Sequence, residues 1–355
     1  MVTPWFPTAA APESGLFVAR EAAALAAGHD VRVLHLDWTG DAHDAPLPHA
    51  FPVSRLRLRR SRPQDFARAR RAVAEAAQTA DVVHTHALPG LLPWLRRRPA
   101  PQPWVHSEHW SGLTAPETLG LAMRASLLLL RPRLAAPDVV IAESERLAAA
   151  IRPHRAGPTR IVPCVVPSLP TATWPDAPHL VAVGALAPRK GPLLAVQALA
   201  LLRGRGHDAT LTWVGDGPQR EAVQVEAARR GVHGSLTLTG SLDTAGVARE
   251  LGRGRLFLLP TQGDNFCVVA AEALTAGLPV VSGAATGAVD YADPTVSRFV
   301  SSQDAAAYAD AVEDLLGATA GSSPAEVAAT VAGRFSAEVV RAALENVFRE
   351  AGVRA

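Results

Sequence analysis

The 355-residue chain almost lacks lysine: 34 of its 35 basic side chains are arginine, and the exception is Lys190. Cysteine, methionine, tyrosine and asparagine occur only twice each. The two cysteines, Cys164 and Cys267, lie far apart in apolar surroundings, which excludes a disulfide scaffold and reads as small buried thiols in a reducing compartment. No apolar run approaches the roughly 20 residues that span a bilayer. The leucine run that ends at Leu130 is stopped by Arg131. The amino terminus has no basic head followed by an apolar core, so no secretory signal is read and a cytoplasmic chain is expected. No Asp-x-Asp pair occurs anywhere, so no metal is expected. The arginines come without a recognition helix, a zinc-finger pattern or an aromatic platform, which argues against nucleic acid.

What is present is globular. With 48% hydrophobic and 19% charged residues, the chain has the composition and length of two domains, each able to bury its own core. Its net charge of +2 hides an asymmetry: residues 1–168 hold 20 arginines against 14 acids, and residues 169–355 hold 15 bases against 19 acids. Much of the excess sits at Arg55-Leu56-Arg57-Leu58-Arg59-Arg60-Ser61-Arg62, Arg68-Ala69-Arg70-Arg71 and Arg96-Arg97-Arg98. Two readings stand: a solvated arginine-biased surface, or peripheral contact with an anionic membrane or acceptor, which would place the chain on the inner face of the plasma membrane.

Along the chain, strand, loop and helix alternate. Ser14-Gly15 opens a helical run over 16–27, and Gly28 closes it. Short strands are expected at 30–36, 81–86, 104–109 and 138–144, the last ending in Ser144, which can cap the next helix. Prolines 163, 167, 170, 175 and 178 mark an interdomain linker. The alternation then restarts, with strands at 179–184, 209–215, 236–240, 255–260 and 278–281. Apolar strands alternating with helices imply parallel sheets covered on both faces. The expected fold is therefore α/β: two Rossmann-like domains, 1–168 and 169–336, with parallel sheets facing a central cleft, and a final helix in 337–355 crossing back to the first. The start, Met1-Val2-Thr3-Pro4, reads as the end of a first strand whose body is missing, through either a start assigned a few residues late or a genuinely shortened sheet.

Two segments carry chemistry. Lys190 sits in a Pro188-Arg189-Lys190-Gly191 turn between a strand and a helix. A lysine kept against arginine drift is either an accident or is held by chemistry needing a compact ammonium rather than a planar fork. In residues 260–281 a strand ends, a polar loop bends, and a helix starts near Phe266, Cys267 and Val268, where unpaired amides favour a phosphate. Asp264 in the loop and Glu272 in the helix, seven residues apart in between, are carboxylates suited to sugar and ribose hydroxyls.

Together these segments resemble glycosyltransferase family 4, the large retaining group with the GT-B fold. Asp264 to Glu272 resembles its Glu-x7-Glu motif, and Gly277-Leu278-Pro279-Val280-Val281 its Gly-x-Pro-Val-Val continuation. Residues 184–191 resemble its Gly-Arg-Leu-x-Pro-x-Lys-Gly, Gly215-Asp216-Gly217-Pro218 its Gly-x-Gly-Pro turn, and Ser14-Gly15 its amino-terminal glycine loop. His109 falls where the family carries an active-site histidine. Jointly these are specific, whereas any one alone is weak.

The resemblance implies roles. Glu272 would bind the donor ribose, Asp264 the transferred sugar, and Lys190 the diphosphate, with Gly15, Gly184 and the loop at Phe266, Cys267 and Val268 completing the donor site. His109 would stand beside the anomeric carbon. Some positions depart from the pattern: Ala185 replaces a phosphate-binding arginine, a charge that Arg189 can supply, Asp264 replaces the usual glutamate, Asp290 stands near an expected glutamate, and Cys164 replaces an asparagine. The implied activity is a retaining, metal-independent transfer from a UDP- or GDP-sugar to an acceptor hydroxyl, with no cofactor. The rival readings are a non-catalytic sugar-nucleotide-binding or scaffold paralogue and a sugar-nucleotide epimerase. Acceptors would be read by loops 40–52 and 111–120.

Overall fold

The computed structural model describes residues 1–38, 47–94 and 98–354. Most of loop 40–52, together with Arg96 and Arg97, therefore lies outside the described residues. The chain divides into two units, Met1–Val165 with Phe335–Ala355, and Val166–Arg334.

The first unit is a parallel sheet of seven strands in the order β3-β2-β1-β4-β5-β6-β7. These are β1 (Val2–Thr3), β2 (Val33–Asp37), β3 (Val53–Arg57), β4 (Val83–His86), β5 (Trp104–Glu108), β6 (Val139–Ala142) and β7 (Thr159–Ile161). Its helices are α1 (Leu16–Ala26), α2 (Pro63–Ala77), α3 (Leu121–Leu130) and α4 (Glu145–Ile151), the last capped by Ser144, whose hydroxyl accepts from the Leu147 amide. Although only two residues long, β1 is an interior strand: Val2 pairs with Leu34 on one side and Thr85 on the other.

The second unit has six parallel strands in the order β10-β9-β8-β11-β12-β13. They are β8 (His179–Val183), β9 (Thr210–Val214), β10 (Leu236–Gly240), β11 (Leu256–Leu259), β12 (Val280–Gly283) and β13 (Ser297–Val300). Around them lie α5 (Pro192–Gly204), α6 (Arg220–Arg229), α7 (Thr244–Gly252), α8 (Val268–Thr275), α9 (Ala305–Ala318) and α10 (Pro324–Ala329). In both sheets the strand order reverses once, next to β1 and next to β8. Open α/β sheets bind ligands beyond the strands' carboxyl ends at that reversal.

The last helix, α11 (Ala337–Glu350), belongs to the first unit. Val340, Leu344, Val347 and Phe348 recur at helical spacing and share a core with Val18, Ala22 and Leu25 of α1 and with Val105 and Ile141 of the sheet. At its end Glu350 pairs with Arg160 at 2.6 Å. The proline-rich stretch at 170–178 lies along the second unit: the Ala172 amide donates to Ala276 O, the Trp174 indole donates to Gly277 O, and Arg255 stacks on the Trp174 ring at 3.8 Å.

Strands β3, β7 and β13 were not legible in the sequence pattern. The first arginine run is an edge strand in part: Arg55 of β3 pairs with the buried Asp37 of β2 at 2.8 Å, and Leu58 just beyond is buried. An edge strand has one solvated side, so arginine can occupy it without breaking the sheet. Among the described residues no helix is long and apolar enough to cross a membrane.

Candidate functional site

In the second unit, loops from four neighbouring strand ends are tied together at the reversal of strand order. After β8 comes the turn holding Arg189 and Lys190, and Gly191 follows with φ +70. A Cβ there would sit 2.2 Å from Pro260 O, so only glycine lets this turn press against the end of β11. The Arg189 carbonyl accepts from the Gln262 amide at 2.7 Å and from the Thr261 hydroxyl at 3.2 Å, and the Arg189 guanidinium donates to Gly263 O. After β9, Asp216 O accepts from the Leu186 amide at 3.0 Å. After β12, Ala285 O accepts from the Asp264 amide, and Asp264 O accepts from the Gly287 amide, both at 3.1 Å.

Lys190 and Asp264 meet inside this frame. The Lys190 Nζ lies 2.5 Å from Asp264 Oδ2, with Arg189 Nη1 at 3.9 Å from the same oxygen. The other carboxylate oxygen accepts from the Cys267 amide at 3.1 Å. Burial pushes the Asp264 carboxyl up, but Lys190, Arg189 and that amide outweigh it and hold the group below the usual 3.8. One of the amides expected to be open at the start of α8 is thus already held by Asp264.

Cys267 is itself strained. Its φ of 63 lies in the left-handed region, which costs a non-glycine residue about 1–3 kcal/mol and persists only where neighbours over-determine it. Here Tyr291 Oη donates to the Cys267 carbonyl at 2.8 Å, and the Tyr291 ring packs on Phe266 at 4.9 Å. The thiol is buried and pushed up to about 12, first by burial and then by Asp264, so it is a packing group rather than a nucleophile. Val268 is the first residue of α8, and Glu272 lies within that helix, 6% exposed. Gly184, at the end of β8, accepts from the Trp213 indole at 2.8 Å.

His109 and Gly15 belong to the first unit. Gly15 caps α1 with φ 66, and a Cβ there would lie 2.3 Å from Trp5 O. Two residues into α1, the Phe17 ring stands 4.5 Å from the His109 ring. Glu108 sets the turn after β5: its Oε1 accepts from the amides of His109 at 2.9 Å, Trp110 at 2.8 Å and Leu88 at 3.2 Å. Both His109 nitrogens are engaged. Nδ1 contacts Glu143 Oε1, and Nε2 meets His86 Nδ1 at 3.1 Å. Glu143 Oε1 also accepts from the Cys164 thiol at 3.0 Å, so the cysteine that stands in place of asparagine joins this network.

These contacts set the charge. Burial works against a charged His109, but Glu143, Glu21 and Glu108 outweigh it and hold its pKa above 6.5. Burial carries Glu21 up to about 7, with His109 pulling the other way. His84 and His86 are pushed well below 6.5 by burial and by the positive groups around them. A protonated His109 donates to His86 Nδ1, which leaves the His86 proton on Nε2, 3.7 Å from Glu21 Oε1. His84 Nδ1 faces the same carboxylate oxygen at 3.4 Å.

Glu21, His86 and His109 are the described residues that could hold a metal, with candidate ligand atoms within 4.8 Å of one another. His86 and His109, however, face each other nitrogen to nitrogen in a hydrogen bond, so this set reads as a proton-sharing network. Sequence reasoning named His109 but missed Glu21, His86, Glu108 and Glu143. The histidine-and-acid ends of β4, β5 and β6 were the available signal, since adjacent parallel strands must bring them side by side.

The comparisons with known proteins follow the same outline. A model described as Glycosyltransferase Family 4 matches residues 16–168, and one described as Glycosyl transferases group 1 matches residues 177–318. A GDP-mannose-dependent alpha-mannosyltransferase of Mycolicibacterium smegmatis is 30% identical over 290 residues, 75% of this chain and 74% of the relative. The chain belongs to glycosyltransferase family 4. Among other relatives, an alpha-D-kanosaminyltransferase of Streptomyces kanamyceticus is 30% identical over 142 residues, and a GDP-mannose-dependent alpha-(1-6)-phosphatidylinositol monomannoside mannosyltransferase of M. smegmatis is 33% identical over 149. These two matches span 37% and 39% of the relatives' lengths. Among structures, sucrose-phosphate synthase from Thermosynechococcus elongatus has a TM-score of 0.80 at 23% identity, covering 94% of this chain and 92% of that one. HepE from Anabaena, in complex with UDP-glucose, has a TM-score of 0.73 at 17% identity, covering 94% and 96%. The fold is therefore of the GT-B class.

Proposed function

We propose that this family 4 member is a retaining, metal-independent glycosyltransferase that moves a hexose from a nucleotide-diphosphate sugar to an acceptor hydroxyl. The observation that carries the reading is the Lys190 ammonium, pinned at 2.5 Å on Asp264 beside Arg189 at the strand-order reversal of the second unit. Breaking a sugar–phosphate bond develops negative charge on the departing diphosphate. A fixed ammonium and a guanidinium stabilise that charge without reorganising, which is the work a metal does in other enzymes. Asp264 orients the lysine, and its remaining lone pairs stay available to a sugar hydroxyl. Gly184, Phe266, Cys267 and Val268 line the donor loops, and Glu272 accepts from the ribose hydroxyls. In the first unit Gly15 shapes the loop before α1, and His109, held charged by Glu143, exchanges its Nε2–H bond to His86 for one to a sugar or acceptor hydroxyl when substrate binds.

The donor is a GDP- or UDP-sugar. GDP-mannose is the first to test, because the relative matched over most of its length uses it by name; UDP-glucose is the second, from the HepE complex. A thermal-shift panel of nucleotide sugars should raise the melting point with at least one of them, since a ligand that binds only the native state stabilises it. Glu272→Ala should weaken that donor by about 1–3 kcal/mol in calorimetry, the cost of leaving ribose hydroxyls unpaired. Unchanged affinity in a folded variant would remove Glu272 from the donor site.

A further inference from the structure

Helix α3 turns its apolar face outward. Leu121, Leu128 and Leu129 are 86%, 75% and 58% exposed, and Ala122 and Ala125 are exposed with them. Positions 121, 122, 125, 128 and 129 fall at helical spacing, so they form one stripe along the helix. The opposite side is anchored: Leu127 and Leu130 are buried in a core with Leu88, Leu91 and Leu134. Single exposed leucines are ordinary, but a continuous stripe on an ordered helix marks an interaction surface.

The flanking charge selects the partner. Residues 118–137 contain three arginines, Arg124, Arg131 and Arg133, and no aspartate or glutamate. Among the described residues Arg124 donates to neutral carbonyls, Pro116 O at 2.8 Å and Glu117 O at 2.5 Å, and not to a carboxylate, so its positive charge is kept. A second copy of this face would bring like charges together, which disfavours self-pairing. At 10 residues the helix is about 15 Å long, far short of a span, and its stripe fits the plane of a membrane interface.

We propose that α3 is an interfacial helix that docks the first unit on an anionic lipid bilayer, with Leu121, Leu128 and Leu129 in the acyl boundary and the arginines at the headgroups. This proposal is independent of the sugar chemistry above.

The test is co-sedimentation of the full chain with vesicles of phosphatidylcholine alone or mixed with phosphatidylglycerol. Binding to the mixed vesicles and weak binding to the neutral ones is expected, with the former falling at high salt. Leu128→Glu with Leu129→Glu should cut the partition at least about tenfold, as expected when apolar contacts are replaced by charges that anionic lipid repels. Both positions are exposed, so a far-ultraviolet dichroism spectrum like the parent's is expected. Arg131→Gln with Arg133→Gln should lower binding to the mixed vesicles while sparing the residual neutral binding. No binding to either vesicle would overturn the proposal. So would a leucine double variant that binds as the parent does, or self-association in light scattering that the same substitutions abolish.

Discussion

Replacing Lys190 with alanine removes the closest cation from Asp264 and leaves that carboxylate with the Cys267 amide and with Arg189 at 3.9 Å. Breaking a fully buried ion pair costs about 3–5 kcal/mol, chiefly because the surviving charge is stranded. Here the side chains are 14% and 22% exposed, so solvent recovers part of the loss and about 1–3 kcal/mol is expected. Urea unfolding of Lys190→Ala, Asp264→Asn and the double variant forms a cycle, with Trp213, buried in the same unit, contributing to the fluorescence readout. The coupling should be about 1–3 kcal/mol. The pH dependence has a definite sign. Asp264 is depressed below 3.8, so its contribution is present above that value and is lost as pH falls through its lower folded value. Without Lys190 the loss should begin at higher pH. Turnover separates structure from chemistry: Lys190→Ala should lose roughly two to three orders of magnitude even where the protein is folded, as when a preorganised stabilising group is removed. Lys190→Arg should stay folded yet substantially impaired, because a fork cannot place a point charge where the ammonium sits. Additive stabilities together with full turnover in Lys190→Ala would refute the reasoning.

Glu143→Gln keeps a hydrogen-bond partner for His109 but removes the charge that holds the ring protonated above pH 6.5. The alkaline limb of the pH–rate profile should move to lower pH, and an unmoved limb would show that another group sets it. Glu21, carried by burial from 4.5 to about 7, favours folding only while protonated, so its contribution is lost as pH rises through that window, at a cost of about 3 kcal/mol. Glu21→Gln should therefore flatten the fall in stability of the first unit between those pH values, and an unchanged slope in denaturation curves would contradict this.

Local pattern made much of the molecule legible. Apolar runs such as Val139–Ala142 and Leu256–Leu259 announce themselves as buried parallel strands, and Ser144 declares its helix cap because capping involves neighbours in sequence. Strand β3 was hidden because edge strands tolerate arginine, and the partner that satisfies Arg55, Asp37, lies on another strand. The candidate site follows the same division. Lys190, Asp264 and Glu272 were visible as motif residues, but the contact of Lys190 with Asp264 links positions 74 apart, and no spacing rule predicts it. Glu143 and Cys164 looked unrelated to His109 until adjacent strand ends brought them together. The apolar stripe of α3 was read only as a run too short to span a bilayer, because which face of a helix is covered depends on the core beneath it.

The central claim, that Lys190 drives departure of a nucleotide diphosphate, is tested most directly by chromatographic detection of nucleotide release. The purified chain would be incubated with GDP-mannose or UDP-glucose in the presence of EDTA, beside folded Lys190→Ala. The account predicts slow release of GDP or UDP from at least one donor by the parent chain, and at least about a hundredfold less by the variant. Equal release by both proteins would contradict the role of Lys190. Donor binding without release by either would contradict the assignment as a transferase.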